Sequence, residues 1–498
     1  MTEMNRPVER DLRLSADSLS SLTMPVRHRA ILLPFALVCM YLAASPAWYP
    51  RVAPRLYDNA RFLELALLVL AALFSLAPVV RTQLVSAWAL LGSAARWLIL
   101  VFVGGGALSA ALSSVTEIGA LQVGLVALLV SLFLMIAIAA REEAQTSEPL
   151  LAAAVFLGAG LVALKFWVSF LLHFVDGRVF SWVSPFLDFA NVRFFGQYQA
   201  YVLLLFPVVA RLVSLNRPAR LSVYVVGASF WSLQFMVGTR AVWIGFAAAV
   251  VAVLLFMRRR RLDWLRTQGS IALAGGAIYL IFAGLVLDQP NATPIPVANS
   301  VLERNWNSVN ERKVMALAAV GLIREHPLAG VGPGQFGFHY QSTIAAHPHN
   351  TPLQLLSEYG LIAGSAGVAL GLLLVVFILR AIRGRPGESP DVVTATLGAA
   401  LLMGLTDSLL SGNLTMPHSQ VLCAVLAGWI AGRVCRDRAT PVVRDVPTVG
   451  VGLAGCALLA ASVTALLALE YLDVIREMPS PREIRVPNFW QYGRFDAW

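Results

Sequence analysis

Apolar residues in this chain arrive in blocks about as long as a bilayer is thick, and that pattern leaves few folds open. Thirteen such stretches stand at approximately 30–47, 62–80, 97–113, 118–140, 149–175, 199–215, 221–237, 241–257, 269–287, 352–379, 392–410, 418–434 and 448–470. A helix needs about 20 apolar residues to cross the hydrocarbon core. In lipid every backbone polar group must be satisfied within the protein, so helices and closed barrels are the only spanning solutions, and blocks this long predict helices. The weakest is 97–113, and the half-apolar stretch 82–95 before it suits the interface. Of 498 residues, 58% are hydrophobic and 13% charged, against about 25% charged in a soluble domain. A soluble enzyme and a disordered or fibrous chain are both excluded. The expected fold is all-α: a polytopic membrane bundle of about 12–13 transmembrane helices.

Arginine sets the orientation. With the N-terminus in the cytoplasm, the cytoplasmic segments hold 22 of the 38 basic residues, including the RRRR run at 258–261. That satisfies the positive-inside rule. The expected organisation is a cytoplasmic tail (1–29), transmembrane helices 1–9 (30–287), a long periplasmic loop (288–351), helices 10–13 (352–470) and a periplasmic tail (471–498). Arg27 and Arg29 directly precede the first apolar block, and no small-residue cleavage site follows, so that block is expected to stay as a signal anchor. The loop 288–351 is the long polar insertion of the chain, and loops of that length are usually functional.

The net charge of +10 does not point to nucleic acid, because the charges lie in short clusters between apolar blocks, where they set orientation and attract anionic lipid headgroups. Cys39, Cys423, Cys435 and Cys456 show no metal-ligand spacing, and no disulfide or zinc site is expected.

The densest group of chemically able side chains is His347-Pro348-His349-Asn350-Thr351-Pro352, running into LQLLSEYGLIAG. Asn350 or Thr351 suits an N-cap and Pro352 the first helical turn. His349 therefore stands just ahead of a helix N-terminus, whose partial positive charge disfavours imidazolium. A neutral imidazole there is placed as a general base, or alternatively as a loop cap. Glu358 falls near the start of a membrane span, where a carboxylate is a functional candidate by default, with a supporting role favoured. Arg193 in NVRFFGQYQ and Arg240 in VGTRAVW stand at the outer boundary, where a guanidinium can bind phosphate through two parallel bonds or anchor to headgroups. Arg178, Arg304 and Arg312 are further candidates. The turn SGNLTMPHSQ contains His418 and follows Asp407, and both suit supporting roles. His339, His347 and His349 lack the cysteine or carboxylate partners of a metal site, so none is expected. The GPGQFG at 332–337 spells a dinucleotide fingerprint without its strand and helix, and reads as a turn.

These residues resemble a known family. REHPLAGVGPGQF followed by HPHNTPLQLLSEYGLIAG is similar to the loop and helix start of the O-antigen ligase/polymerase superfamily of bacterial membrane glycosyltransferases. GTRAVWIG resembles its arginine-bearing turn, and DSLLSGNLTMPHSQ a late-helix segment. The resemblance covers roughly 180–430. It implies a GT-C-like helical fold in the bacterial inner membrane and an undecaprenyl-diphosphate-linked glycan as donor. Transfer would occur at the periplasmic face, without metal or other cofactor, to lipid A–core or another hydroxyl. O-antigen ligation is the leading expectation, with O-antigen polymerase and protein O-oligosaccharyltransferase as alternatives within the superfamily. A polytopic transporter or lipid flippase is the alternative of another class. By the resemblance His349 is the base that activates the acceptor, with Glu358 as its catalytic partner in a supporting role. Arg193, Arg240 and Arg312 bind the donor diphosphate, and Asn350, His347, Asp407 and His418 support. The thirteenth span and short tail depart from ligases that end after twelve spans.

Overall fold

The computed structural model describes residues 26–48, 50–176, 184–189, 191–257, 259–287, 307–340, 346–385, 391–436, 446–477 and 489–490. Regular structure among them is helical, with no strand. Most of the N-terminal and C-terminal tails, parts of the long loop, Arg178 and Arg304 lie outside the described residues.

Every apolar block expected to span coincides with helix. The helices are α1 (Val26–Ala44), α2 (Leu56–Leu73), α3 (Pro78–Leu90), α4 (Ser93–Ala111), α5 (Thr116–Glu142) and α6 (Ala144–Asp176). They continue with α7 (Val192–Val202), α8 (Phe206–Leu212), α9 (Arg217–Val237), α10 (Arg240–Phe256), α11 (Arg261–Leu287), α12 (Asn307–Glu325) and α13 (Phe336–His339). The last four are α14 (Thr351–Arg383), α15 (Val392–Ser408), α16 (Pro417–Val434) and α17 (Val446–Glu477). Among the described residues, seven helices are long and apolar enough to cross a membrane alone, or eight if the pair α7–α8 forms one span bent by 42°. Pro207, which has no N–H to donate, begins the second half of that pair. The stretch 82–95 is helical over most of its length, as part of α3. The protein is a multi-pass helical membrane protein.

The connecting segments sort into two groups. At one end Gln335 meets the α4–α5 turn, Arg61 meets the α15–α16 turn, and His418 meets Ser45 at the end of α1. At the other end Arg433 and Arg436 pair with Glu148, Arg433 also pairs with Asp391, and Gln83 donates to Glu142. These are the two groups that the arginine distribution separates in sequence.

The long loop is not merely a loop, because it contains the 19-residue helix α12. The segment after α12 then packs across a break in α14. At Gly360 the backbone turns to φ 74°, ψ 177°, a conformation essentially reserved for glycine. The break frees backbone groups that neighbouring chain takes up. Val331 and Gly332 donate their N–H groups to the carbonyls of Ser357 and Glu358, each at 3.0 Å. Leu361 donates to the Pro327 carbonyl at 2.7 Å. Gly330, Gly332 and Gly334 all have positive φ, which lets this segment fold tightly onto α14. Gln335 bolts it to the α4–α5 turn: its Nε2 donates to Ser113 Oγ and the Val115 carbonyl, both at 2.7 Å, and its Oε1 accepts from Ser114 Oγ at 2.9 Å. GPGQFG is thus a turn, as its sequence context indicated.

Gly360→Ala puts a Cβ into the Leu328 carbonyl and forces alanine into the glycine conformation. A loss of about 1–3 kcal/mol is expected from the backbone alone. It would be read as a lower melting temperature in detergent, and an unchanged melting curve would contradict this account of the break.

Candidate functional site

The start of α14 is built by its own side chains. Asn350 is the N-cap, its Oδ1 accepting the Leu353 N–H at 2.9 Å. Its Nδ2 donates to the Leu409 carbonyl at 3.0 Å, and Thr351 Oγ1 donates to the Ser408 carbonyl at 3.0 Å. These two bonds pin the helix start to the end of α15. Just before the cap, His349 adopts a left-handed backbone with φ 53°. Its N–H donates to Nδ1 of the buried His347 at 3.3 Å, and the two imidazoles meet edge to face with centroids 4.4 Å apart. His349 Nδ1 is buried and has no hydrogen-bond partner among the described residues.

Arg193 lies in the first turn of α7, behind the N-cap Asn191, and Arg240 is the first residue of α10. Gly196 on α7 approaches Thr239, the N-cap of α10, so closely that a Cβ would overlap its side chain. Arg312 comes from α12. All three side chains are exposed, and none has an ion-pair partner among the described residues. They are close enough to feel one another. Arg312 is held below its ordinary pKa by lost hydration and then by the charges of Arg193 and Arg240, with Asp407 acting in the opposite sense. Asp407 Oδ2 accepts from Ser411 Oγ and Asn413 Nδ2, both at 2.7 Å, while its buried Oδ1 lacks a partner among the described residues.

The histidines respond to these surroundings. Burial lowers His347 to about 4. His349 is lowered well below 6.5, first by burial, then by His347, Arg312 and Arg193. Burial is the first of these causes, and the helix N-terminus expected from sequence acts in the same direction. The result is a neutral imidazole with an unpartnered nitrogen near Arg193 and Arg312, with Arg240 close to Arg312 and helix amino ends among them, a setting that favours anions.

The structure thus gathers His347, His349, Asn350, Arg193, Arg240, Arg312 and Asp407 around one region. Glu358 takes another role. Its carboxylate accepts the Gly334 N–H at 2.9 Å, the Phe336 N–H at 3.3 Å and Gln354 Nε2 at 3.3 Å, so it fastens the glycine-rich segment. His418 is set apart: its Nε2 stands 3.1 Å from the Ser45 carbonyl, and its ring packs among Tyr41, Phe189 and Tyr198. Gly412 and the buried Arg61 were not singled out in the sequence, although charges at 58, 61 and 64 around the start of an apolar block were a signal for the latter.

Residues 225–366 match the family model described as O-Antigen ligase. The match spans less than a third of the chain and makes that segment similar to the O-antigen ligase family. It supports a membrane glycosyltransferase of the O-antigen ligase/polymerase kind. The matched segment holds Arg240, Arg312, His347, His349, Asn350, Glu358 and the glycine-rich segment, while Arg193, Asp407 and His418 lie outside it. No curated protein matches the chain.

Two measurements probe this electrostatic arrangement. Inorganic pyrophosphate should raise the melting temperature, less so at high salt, and Arg312→Ala should remove much of that shift. An equal shift in the variant would place the anion elsewhere. For His347 the folded pKa of about 4 lies below the ordinary 6.5, so the unfolded chain binds more protons between these values. The contribution of His347 to stability is whole above about pH 6.5 and is lost as pH falls toward 4. His347→Phe should flatten the melting profile across that window.

Proposed function

We propose that this protein transfers a glycan from undecaprenyl diphosphate to an acceptor hydroxyl at the periplasmic face of the bacterial inner membrane, with lipid A–core as the acceptor. The observation that carries the reading is the uncharged His349 imidazole, with its unpartnered Nδ1, near Arg193 and Arg312, and Arg240 close to Arg312, none of the three with an ion-pair partner among the described residues. One group can accept a proton and the others can hold a diphosphate, and the proposed reaction uses both.

The acceptor O–H gives its proton to His349 Nδ1 as its oxygen bonds to the anomeric carbon. The bond from that carbon to the diphosphate oxygen breaks, and undecaprenyl diphosphate leaves with the electron pair. Direct displacement inverts the anomeric centre. Negative charge grows on the leaving oxygen, where Arg193, Arg240 and Arg312 are preorganised to receive it. The phosphoglycosyl bond supplies the driving force. Arginine provides the fixed positive charge, so a metal ion is not required in this scheme. Asn350 and Thr351 hold the base in place, and Glu358 supports through the segment it fastens. The arginine-rich end, with the 258–261 run, faces the cytoplasm, which puts His349 on the opposite side.

The test is glycan transfer by the purified protein from a lipid-linked donor to lipid A–core. His349→Ala should lower kcat by about 10²–10⁴-fold, as expected for loss of a general base. Arg193→Ala and Arg240→Ala should raise the donor KM. Full activity of a folded His349→Ala protein would reject the base. Product formed with lipid-linked glycan alone, and none with lipid A–core, would reassign the reaction to polymerisation.

A further inference from the structure

The α15–α16 turn approaches His347 at Gly412. A Cβ built on Gly412 would overlap the His347 imidazole, and its three nearest atoms all belong to that ring. The backbone there is ordinary, with φ −84° and ψ 34°, so glycine is not needed for conformation. The missing side chain serves the approach instead. Gly412 is buried, and the turn around it is rigidly bonded: Thr415 donates from both its N–H and its hydroxyl to the Gly412 carbonyl, at 3.0 and 2.6 Å. The same turn carries Asn413, which holds Asp407, and ends where Arg61 binds the Thr415 carbonyl at 2.5 Å.

His347, seated on this turn, receives the His349 N–H on Nδ1 and faces the His349 ring edge to face. His349 keeps its left-handed backbone, a strained state for a residue other than glycine, with this neighbour in place. We propose that Gly412 and His347 are positioning residues: the bare backbone of the turn sets the His347 ring, and that ring sets the direction of His349. The inference rests on reading His349 as the base. Neither residue needs to touch substrate. Gly412 acts on the base through the His347 ring alone, so its effect depends on that ring being present.

A double-mutant cycle tests this with the full-length protein, undecaprenyl-diphosphate-linked glycan and lipid A–core, and with His349→Ala alongside. Gly412→Ala should lower kcat by about tenfold or more and leave the donor KM within about twofold, the pattern of an interaction that matters in the transition state and not in donor binding. His347→Ala should also lower kcat. In the His347→Ala background, Gly412→Ala should have no further effect, because the overlapping ring is gone. Additive losses would overturn the proposal, and so would unchanged kcat in the folded Gly412→Ala protein. If Gly412→Ala alone fails to fold, the double variant must fold as well as His347→Ala does, and its failure would show that Gly412 acts otherwise. Retained transfer by His349→Ala would instead bring down the base assignment itself, an outcome read separately from the cycle.

Discussion

A helix broken inside a membrane protein must find hydrogen-bond partners without help from water. The break at Gly360 sets that requirement here, and the segment 327–336 meets it with N–H groups and a carbonyl aimed at the open turn. Much of the site's placement follows. α12 enters this segment and packs along α14, so its far end is fixed by its near end. At about 1.5 Å per residue, His349 stands roughly 16 Å back along α14 from the break, and Arg312 roughly 22 Å back along the α12 side. Two residues far apart in sequence are thereby brought to a similar height. Glu358 and Gln335, neither of them near the chemistry, hold the structure that does this.

The second constraint is electrostatic. Arg193, Arg240 and Arg312 repel one another, and Asp407 is the carboxylate whose field reaches Arg312. Two of the three begin helices, whose free N–H groups add to the positive potential. A site of this kind is at its most favourable when an anion occupies it. Burial keeps His349 neutral, and the charges of Arg312 and Arg193 add to it, which suits a proton acceptor. The groups suited to holding a diphosphate thus also tune the group suited to activating a hydroxyl, and the two functions share one field.

The fold was legible in sequence because hydrophobic blocks of bilayer length have few alternatives. The thirteen blocks became helical, although 62–80 runs from α2 into the start of α3 and 199–215 is a helix pair bent ahead of Pro207. The helix start at Asn350 was legible because capping is local chemistry. Grouping the arginines required the membrane as a frame, since residues 193, 240 and 312 share little except the side on which they emerge. α12 was not foreseen, because its sequence lacks the apolar block on which the other assignments relied. His418 shares a turn with Asp407 in sequence, yet its ring faces Ser45 across the bundle. A turn says which residues are close along the chain and not which way they point. Gly412 was invisible for a related reason: a close approach across the fold leaves no mark in sequence beyond the glycine itself.

Arginine shows how little residue type alone decides. Arg433 and Arg436 at one end of the bundle pair with Glu148, and Arg433 also with Asp391 at 2.5 Å. Arg61 is fully buried, yet it is matched by Glu64 at 2.5 Å, Gln420 at 2.6 Å, Tyr57 at 3.1 Å and the carbonyls of Thr415 and Phe489. Removing one partner of such a buried pair leaves an uncompensated charge, so these arginines are bound to the fold they stabilise. Arg193, Arg240 and Arg312 are exposed, clustered and, among the described residues, unmatched, and their placement next to one another disfavours the empty state. Structural arginines bring their counter-charge within the chain. These three have that place open among the described residues, and the field of Arg193 and Arg312 reaches the imidazole at the start of α14.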